Sequence, residues 1–429
     1  MNDHLAKILF EQGARLRNPS LFRSYERLKE SEWLAREQLF DLQNANTVSF
    51  LKHAGKNSPY YKELFEQYGF RPQAYTGPQD LACLPEADKS VLIDHNAAIH
   101  SQDSSEPVRL AETSGTSGLS LSFNRGESWD SLNRATMMRS YDWYGVKPWE
   151  RNGYFWGFNI SRKQSIKVRL LDALQNRFRL FDYSAQEIKA FATHLSRASF
   201  VSGYSSMIYE VAKVINEEGI KVPPLKLVKG TSEMILDVYH QESEQAFGRK
   251  VTSEYGAAES GLIAFECPHG NMHINVENLV LELNDKREVL VTNLASYSFP
   301  IIRYNLGDIV SLTDIACPCG RAHPVLKDIE GRKGKNVRGI NKKYPALTFY
   351  YVFKNIALEQ GLLLNYKAVQ KEIGQADILI EGARSTDVEE KVRHQLDQYF
   401  GDDIRFSIQF VDRFDAGYKK RQYFESSID

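Results

Sequence analysis

The sequence is poor in cysteine. Four are present in 429 residues, too few and too unevenly spread for a disulfide framework. No run of apolar residues is long enough to span a bilayer. Charge of one sign is not in excess either. Lys and Arg number 54 against 55 Asp and Glu, a net of −1, which removes any global argument for nucleic acid or an acidic membrane surface as partner. The opening residues Met1-Asn2-Asp3-His4-Leu5 lack the basic-then-apolar pattern of a secretion signal, so the expected location is the cytoplasm. Internal repeats and low-complexity segments are missing. What is there is an ordinary globular composition, 42% hydrophobic and 25% charged, on a chain long enough for two or three domains.

Against that background one short loop stands out, Thr113-Ser114-Gly115-Thr116-Ser117-Gly118. Glycine lets a backbone turn tightly and approach a ligand. Successive N–H groups and hydroxyls then make a concave set of donors suited to phosphate oxygens. No Lys follows the second glycine, so this is not a Walker A loop. Taken alone, a Ser/Gly/Thr run is ordinarily a solvated loop. The residues that follow, Leu119 to Phe123, alternate as a strand does.

The rest of the chain reads as α/β. Residues 20–56 carry a helical face (Tyr25, Leu28, Ala35, Leu39, Leu42), and Ser58-Pro59-Tyr60-Tyr61 breaks it. A second helix is expected to start at Asp88-Lys89-Ser90. After an aromatic-rich helix over 129–145 comes strand character at Gly153–Phe158. Then strands at Phe200–Tyr204 and Leu225–Val228 alternate with helices from Met207 to Glu218 and up to Phe247. Such alternation predicts a parallel sheet with helical crossovers, whose ligands sit at the carboxyl ends of the strands. Beyond residue 270 the pattern turns to β, with a hairpin predicted over Leu279–Leu283 and Glu288–Val291. The tail offers one half-buried strand (Ile404, Phe406, Ile408, Phe410) and one helix face (Val388, Val392, Leu396, Tyr399). The expected architecture is a large domain over 1–331 and a small α+β domain over 332–429. The large domain has a helical lead-in (1–105), parallel-rich sheets with helices, and a β-rich part (261–331).

Three of the four cysteines fall in two stretches, Cys267-Pro268-His269-Gly270-Asn271-Met272-His273 and Cys317-Pro318-Cys319-Gly320. Three thiolates with one imidazole make a tetrahedral, closed, structural zinc arrangement. Its fourth ligand is His273 or His269. Cys83 stands apart and reads as a buried small apolar residue.

Three further stretches follow the loop in order: Glu254-Tyr255-Gly256-Ala257-Ala258-Glu259, Arg303-Tyr304-Asn305-Leu306-Gly307-Asp308 and Gly331-Arg332-Lys333-Gly334-Lys335-Asn336. With Ser58-Pro59-Tyr60-Tyr61, the loop at 113–118 and Gly203-Tyr204-Ser205-Ser206, their order resembles the adenylate-forming (ANL) superfamily. Within it the sequence is similar to phenylacetate–CoA ligases and the CapK-type proteins of polysaccharide loci. The resemblance covers nearly the whole chain.

That resemblance implies an enzyme that activates a carboxylic acid with MgATP as an acyl-adenylate and passes the acyl group to a thiol, CoA. Residues 113–118 would cradle the ATP phosphates and Glu259 would hold Mg²⁺. Tyr255 would pack on adenine with Gly256, Ala257 and Glu233 nearby. Asp308 would take the ribose hydroxyls, and Arg303 and Arg332 would bridge ribose and phosphate oxygens. Tyr204, Ser205 and Ser232 would line the acid pocket. Lys335 falls near the hinge of a mobile C-terminal domain, and Arg338 to Lys343 would lie near the thiol's path. A catalytic lysine is expected in Gly417-Tyr418-Lys419-Lys420-Arg421, where Tyr418 interrupts the family's Gly-Lys pair, so either Lys419 or Lys420 is the candidate. The Cys-x5-His spacing of related ligases favours His273 at the zinc, and relatives are often homodimers. Two departures stand out: Ala258 replaces a Thr or Ser, and Leu121 replaces the loop lysine of many relatives. Two other functions stay open. One passes the acyl group to an amine or hydroxyl in capsule or O-antigen synthesis. The other is a non-catalytic nucleotide-binding protein on the same fold.

Overall fold

The computed structural model describes residues 2–102, 106–113, 121–155, 162–180, 185–232, 235, 237–332, 336–362, 364, 366–412 and 424–428. The chain divides after Gly331 into two compact units.

The lead-in of the first unit is helical. Helices run over Asp3–Arg17, Leu21–Ser31, Arg36–Asn57 and Pro59–Gln67. The Ser58-Pro59 stretch that breaks the third helix also starts the fourth. Ser58 Oγ accepts from the Tyr61 N–H, and Pro59 occupies the first turn, where its missing N–H costs nothing. Asp88 starts the Lys89–Asp94 helix in the same way, accepting from the Val91 N–H.

Strands β1 (Val108–Glu112) and β2 (Ser122–Gly126) form an antiparallel hairpin. A mixed sheet of eleven strands follows: β3 (Asn152–Phe155), β4 (Arg177–Arg179), β5 (Phe200–Tyr204), β6 (Leu227–Thr231), β7 (Thr252–Ala257), β8 (Gly261–Glu266), β9 (Met272–Ile274), β10 (Leu279–Leu283), β11 (Glu288–Asn293), β12 (Ile301–Thr313) and β13 (Val325–Arg332). Its order is β10-β11-β12-β13-β9-β8-β7-β6-β5-β3-β4. The β4-β3-β5-β6-β7 half is parallel, connected by helices such as Ser205–Glu217 and Asp237–Phe247. From β7 onward the observed pairings are antiparallel, which makes this part β-rich. The helix Glu127–Asp142 lays Tyr141 against Phe200 and Phe265.

The second unit has a small hairpin, β14 (Asn336–Arg338) with β15 (Lys343–Pro345), and a separate four-stranded sheet. That sheet joins β16 (Tyr366–Glu372), β17 (Gln375–Glu381), β18 (Arg405–Val411) and β19 (Phe424–Ser426) in the order β18-β17-β16-β19. The helices Leu347–Gln360 and Thr386–Phe400 supply its core with Phe349, Ile356, Val392 and Leu396. Two expectations are corrected. Tyr399 is on the open side of its helix, 36% exposed, and Phe400 is the buried aromatic one position on. Cys83 is exposed rather than buried, because it ends a short 3-10 turn, where its thiol donates to the Asp80 carbonyl at 3.2 Å.

Candidate active site and cysteine cluster

The second and third of the sequence stretches meet at the carboxyl end of β7. Tyr255, on β7, donates its O–H to Asp308 Oδ2 on β12 at 2.8 Å, and both are nearly buried. Next to β7, the turn before β8 carries Glu259, only 5% exposed. Its Oε1 accepts from the Tyr304 hydroxyl at 3.2 Å and lies 3.4 Å from Lys89 Nζ. The turn is pinned from three sides. Ala257 N–H donates to Ser260 Oγ, the Ala258 carbonyl accepts from Arg125, and the Glu259 carbonyl accepts from Asn293. Gly256 is required because a Cβ there would stand 2.3 Å from the Gly261 carbonyl oxygen.

The β12 stretch reaches this place through irregular backbone. The register against β11 shifts between Glu288 and Leu290 and again between Val291 and Asn293. Arg303 and Gly307 have φ of 50° and 72°. Such bulges re-aim side chains. The lead-in then docks onto β12. Ala87 N–H donates to the Arg303 carbonyl, and the Ala87 carbonyl accepts from Asn305 N–H, which carries Lys89 to Glu259. Lys89 is the residue that sequence reasoning missed. Its helix start was legible from Asp88, but nothing in the lead-in's pattern points to a carboxylate 170 residues later.

Arg303 departs from its expected role. Its Nε lies 3.1 Å from Glu282 Oε1, and its Nη1 donates to the Leu84 carbonyl, so the guanidinium ties β10 to the lead-in rather than standing open beside Asp308. Burial pushes the Glu282 carboxyl above its ordinary range, with Arg303 pulling the other way.

Thr113 and Leu121 close the phosphate-loop candidate at its base. The Thr113 N–H donates to the Leu121 carbonyl, and Thr113 Oγ1 accepts from the Leu121 N–H at 3.0 Å. Leu121 is buried in the main core. Ser114, Gly115, Thr116, Ser117 and Gly118 lie outside the described residues, as do Glu233, Lys335, Lys419 and Lys420. Tyr204 ends β5, Ser205 begins the next helix, and Ser232 follows β6 with a φ of 67°. Arg332 ends β13. In the second unit Asp403 accepts from the Asn341 and Lys342 N–H groups, and Gln370 exchanges two hydrogen bonds with the Arg338 backbone. The turn of 338–342 is therefore held from below, with Ile340 68% exposed at its tip.

The cysteine stretches also meet. Donor atoms of Cys267, His273, Cys317 and Cys319 all lie within 4.8 Å of one another. Cys267 Sγ and Cys317 Sγ are 3.6 Å apart, and Cys319 Sγ is 3.2 Å from His273 Nε2. His269 is exposed and outside the group, so His273 is the imidazole of the cluster. The other ring nitrogen, Nδ1, faces the His323 carbonyl at 3.3 Å. Gly270 and Gly320, with φ of 78° and 83°, make the turns that bring their N–H groups back to the Cys267 and Cys317 carbonyls. Burial lowers His273 to about 4, which keeps its ring neutral.

No protein-family model matches the chain. Among curated proteins it is 22% identical over 415 residues to protein CapK of Staphylococcus aureus, covering 89% of this chain and 88% of that protein. It is 24% identical over 332 residues to the phenylacetate-coenzyme A ligase of Thermus thermophilus, covering 73% of this chain and 75% of that one. Over most of its length the chain is therefore similar to these two proteins. Among solved structures it shares the fold of 2-hydroxyisobutyryl-CoA ligase in complex with 2-HIB-AMP, with a TM-score of 0.63 and 17% identity over 92% of this chain and 91% of that one. The same ligase with 2-HIB-AMP and CoA in the thioesterification state aligns at a TM-score of 0.61 and 18% identity, covering 93% and 92%. The mixed α/β unit ending near Gly331 and the smaller β-containing unit after it match the fold of these neighbours.

Proposed function

We propose that this adenylate-forming ligase activates a carboxylic acid with MgATP as an acyl-adenylate and passes the acyl group to the thiol of CoA. The observation that carries the reading is the hydrogen bond from Tyr255 to Asp308, 53 residues apart in sequence, made beside the buried carboxylate of Glu259. An aromatic ring, a carboxylate acceptor pair and a hard oxygen ligand are what adenine, ribose and Mg²⁺ each need. Glu259 would hold the Mg²⁺, which neutralises phosphate charge when bound. Residues 113–118 and Arg332 would bind phosphate oxygens, and Lys419 or Lys420 would reach the carboxylate. Tyr204, Ser205 and Ser232 would face the acid. Rate would come from positioning and charge stabilisation, since a carboxylate is already a nucleophile. Lys335 would serve as the hinge between half-reactions.

The relative named as a phenylacetate-coenzyme A ligase supports CoA as acceptor. The match to CapK spans more of both chains and supports a second reading, in which the same adenylate is passed to an amine or hydroxyl. Pyrophosphate release with MgATP across a panel of carboxylic acids, run with and without CoA, separates them. Acid-dependent release with CoA converted to thioester is the expected result. Release without CoA consumption selects the second reading. Tight ATP binding with no release from any acid overturns both and favours a non-catalytic nucleotide-binding protein.

For the cysteine cluster we propose a structural zinc. Two thiolates on one zinc, at bonds of about 2.3 Å in tetrahedral geometry, stand roughly 3.8 Å apart, close to the 3.6 Å between Cys267 and Cys317. Elemental analysis of the purified protein is expected to find about one zinc per chain. Cys319→Ser should lose most of it and lower the melting temperature. A metal-free protein with an unchanged melting curve after chelation would rule the site out.

A further inference from the structure

We propose that one face of the first unit, made by the helices Asp3–Arg17 and Arg162–Leu174, docks onto an anionic lipid surface. None of its residues belongs to the candidate active site, so the docking stands or falls apart from the ligase reading. Six large aliphatic side chains are open on these two helices. Leu16 is 87% and Leu170 65% exposed, while Leu5, Ile8, Leu171 and Leu174 lie between 42% and 48%.

Their spacing gives each helix a second apolar side. On the first helix Ala6, Phe10 and Ala14 recur every four residues and face inward. Both alanines are buried, and the Phe10 ring meets Trp149 at 5.6 Å. Leu5 and Leu16 stand three turns apart on another side, with Ile8 one turn from Leu5. A surface helix buried along one stripe is ordinarily polar on the rest, and this one is not. On the second helix Leu170, Leu171 and Leu174 are neighbours at i, i+1 and i+4. Its inward side is fixed by Asp172, which is buried and accepts two hydrogen bonds from Arg179 on β4 at 2.8 and 2.9 Å. The two helices lie against each other. Trp149 joins them, because its ring meets Phe10 and its carbonyl accepts from Asn176 Nδ2, just beyond the second helix, at 3.2 Å. The open side chains therefore gather at one end of the unit instead of being scattered singly.

Chemistry selects the occupant. The two helices hold seven Lys and Arg against three Asp and Glu, in a chain whose net charge is −1. The charge of the whole chain argues for no acidic partner, but the charge of these helices does. Protein partners bind chiefly through Trp, Tyr and Arg, with Leu under-represented and Lys depleted. No aromatic residue is among the six open side chains. Aliphatic groups beside Lys and Arg are what an interfacial helix uses, the former entering the acyl boundary and the latter meeting lipid phosphates. A helix can do this without stranding polar backbone, since its N–H and C=O groups are already paired along its length. No described helix is long and apolar enough to cross a membrane, so the contact is with the surface of the bilayer.

The test is co-sedimentation of the full chain with two kinds of vesicle, phosphatidylcholine alone and phosphatidylcholine with about 30% phosphatidylserine. Binding is expected to be at least about tenfold tighter to the anionic vesicles and to weaken as salt is raised. Leu16→Gln combined with Leu170→Gln and Leu174→Gln should weaken it by at least about tenfold. The melting temperature and pyrophosphate release should not change, because all three positions are open to water. Arg15→Gln, exposed in the last turn of the first helix, should cost about fivefold on anionic vesicles and nothing on neutral ones. Binding to neither vesicle, or equally to both, overturns the inference. Anionic binding that the leucine variant leaves intact also overturns it, since the contact would then lie elsewhere. A concentration-dependent dimer in sedimentation velocity that the leucine variant abolishes would assign the face to a second copy of the chain and overturn the lipid assignment.

Discussion

Arg139→Met is expected to destabilise the first unit by about 3–5 kcal/mol, the loss typical when one partner of a buried ion pair is removed. Arg139 is wholly buried on the helix Glu127–Asp142. It donates to Glu277 Oε1 at 2.5 Å and to Asn275 Oδ1 at 2.5 Å. Glu277 is itself buried and also accepts from Ser31 Oγ at 2.7 Å, with His323 Nε2 3.0 Å away. These contacts join the lead-in, the long helix and the segment beside the cysteine cluster. Without the guanidinium, Glu277 keeps its burial and loses its fixed cation. Burial alone would raise its carboxyl pKa, but Arg139 and then His323 hold it well below the ordinary range. The sign of the pH effect follows. A carboxylate whose folded pKa is depressed contributes stability above its unfolded value of roughly 4.3, and that contribution fades as pH falls through the folded value. The wild type should therefore lose stability with acid over a range that Glu277→Gln narrows. Urea midpoints at several pH values measure both effects. Arg139→Met paired with Glu277→Leu should recover much of the loss, because no orphaned charge remains. A single-variant loss under about 1 kcal/mol would mean that water already reaches this network.

Local chemistry explains which parts of this protein could be read in advance. Capping residues and strand–helix alternation act within a few residues, so Asp88, Ser58 and the β5-to-β6 region were visible as pattern. The hairpin of β10 and β11 was visible for the same reason. The cysteine stretches declared themselves by composition, and the structure adds the choice of His273 over His269. Long-range pairings left no local trace. Arg303 looks like a ligand-facing arginine in its motif, yet its positive φ in β12 turns it to Glu282 and Leu84. Lys89 and Lys229 become informative only through Glu259 and Glu254, which the folded sheet brings to them. Tyr399 erred by one position because an aromatic at the end of an amphipathic helix fits the pattern as well as its neighbour Phe400, and packing alone decides between them.

Glu259→Gln is expected to slow acyl-adenylate formation by about 10²–10³-fold while leaving the fold in place, an effect of the size seen when one preorganised electrostatic contact is lost. The substitution keeps the shape of the side chain, so the Tyr304 hydroxyl at 3.2 Å still finds an oxygen to donate to. The turn around it is held by backbone contacts to Ser260, Arg125 and Asn293 that do not involve the carboxylate. Lys89 loses its counter-charge, but its side chain is 19% exposed and stays partly hydrated, so the stability cost should be about 1 kcal/mol or less. Loss of a hard anionic ligand also predicts a higher Mg²⁺ concentration for half-maximal rate. Single-turnover pyrophosphate release over a Mg²⁺ titration, with melting curves on the same samples, reads all three. A rate within about threefold of wild type would remove Glu259 from the site, given the size expected of a metal-ligating carboxylate. A rate loss matched by a large fall in melting temperature would instead make the carboxylate a structural partner of Lys89 and Tyr304. A rate loss at constant melting temperature, with a raised Mg²⁺ requirement, assigns it to the cation. Lys89→Met then supplies the counterpart. If Lys89 serves to offset the bare carboxylate until the cation arrives, its removal should lower the Mg²⁺ concentration needed, opposite in sign to Glu259→Gln.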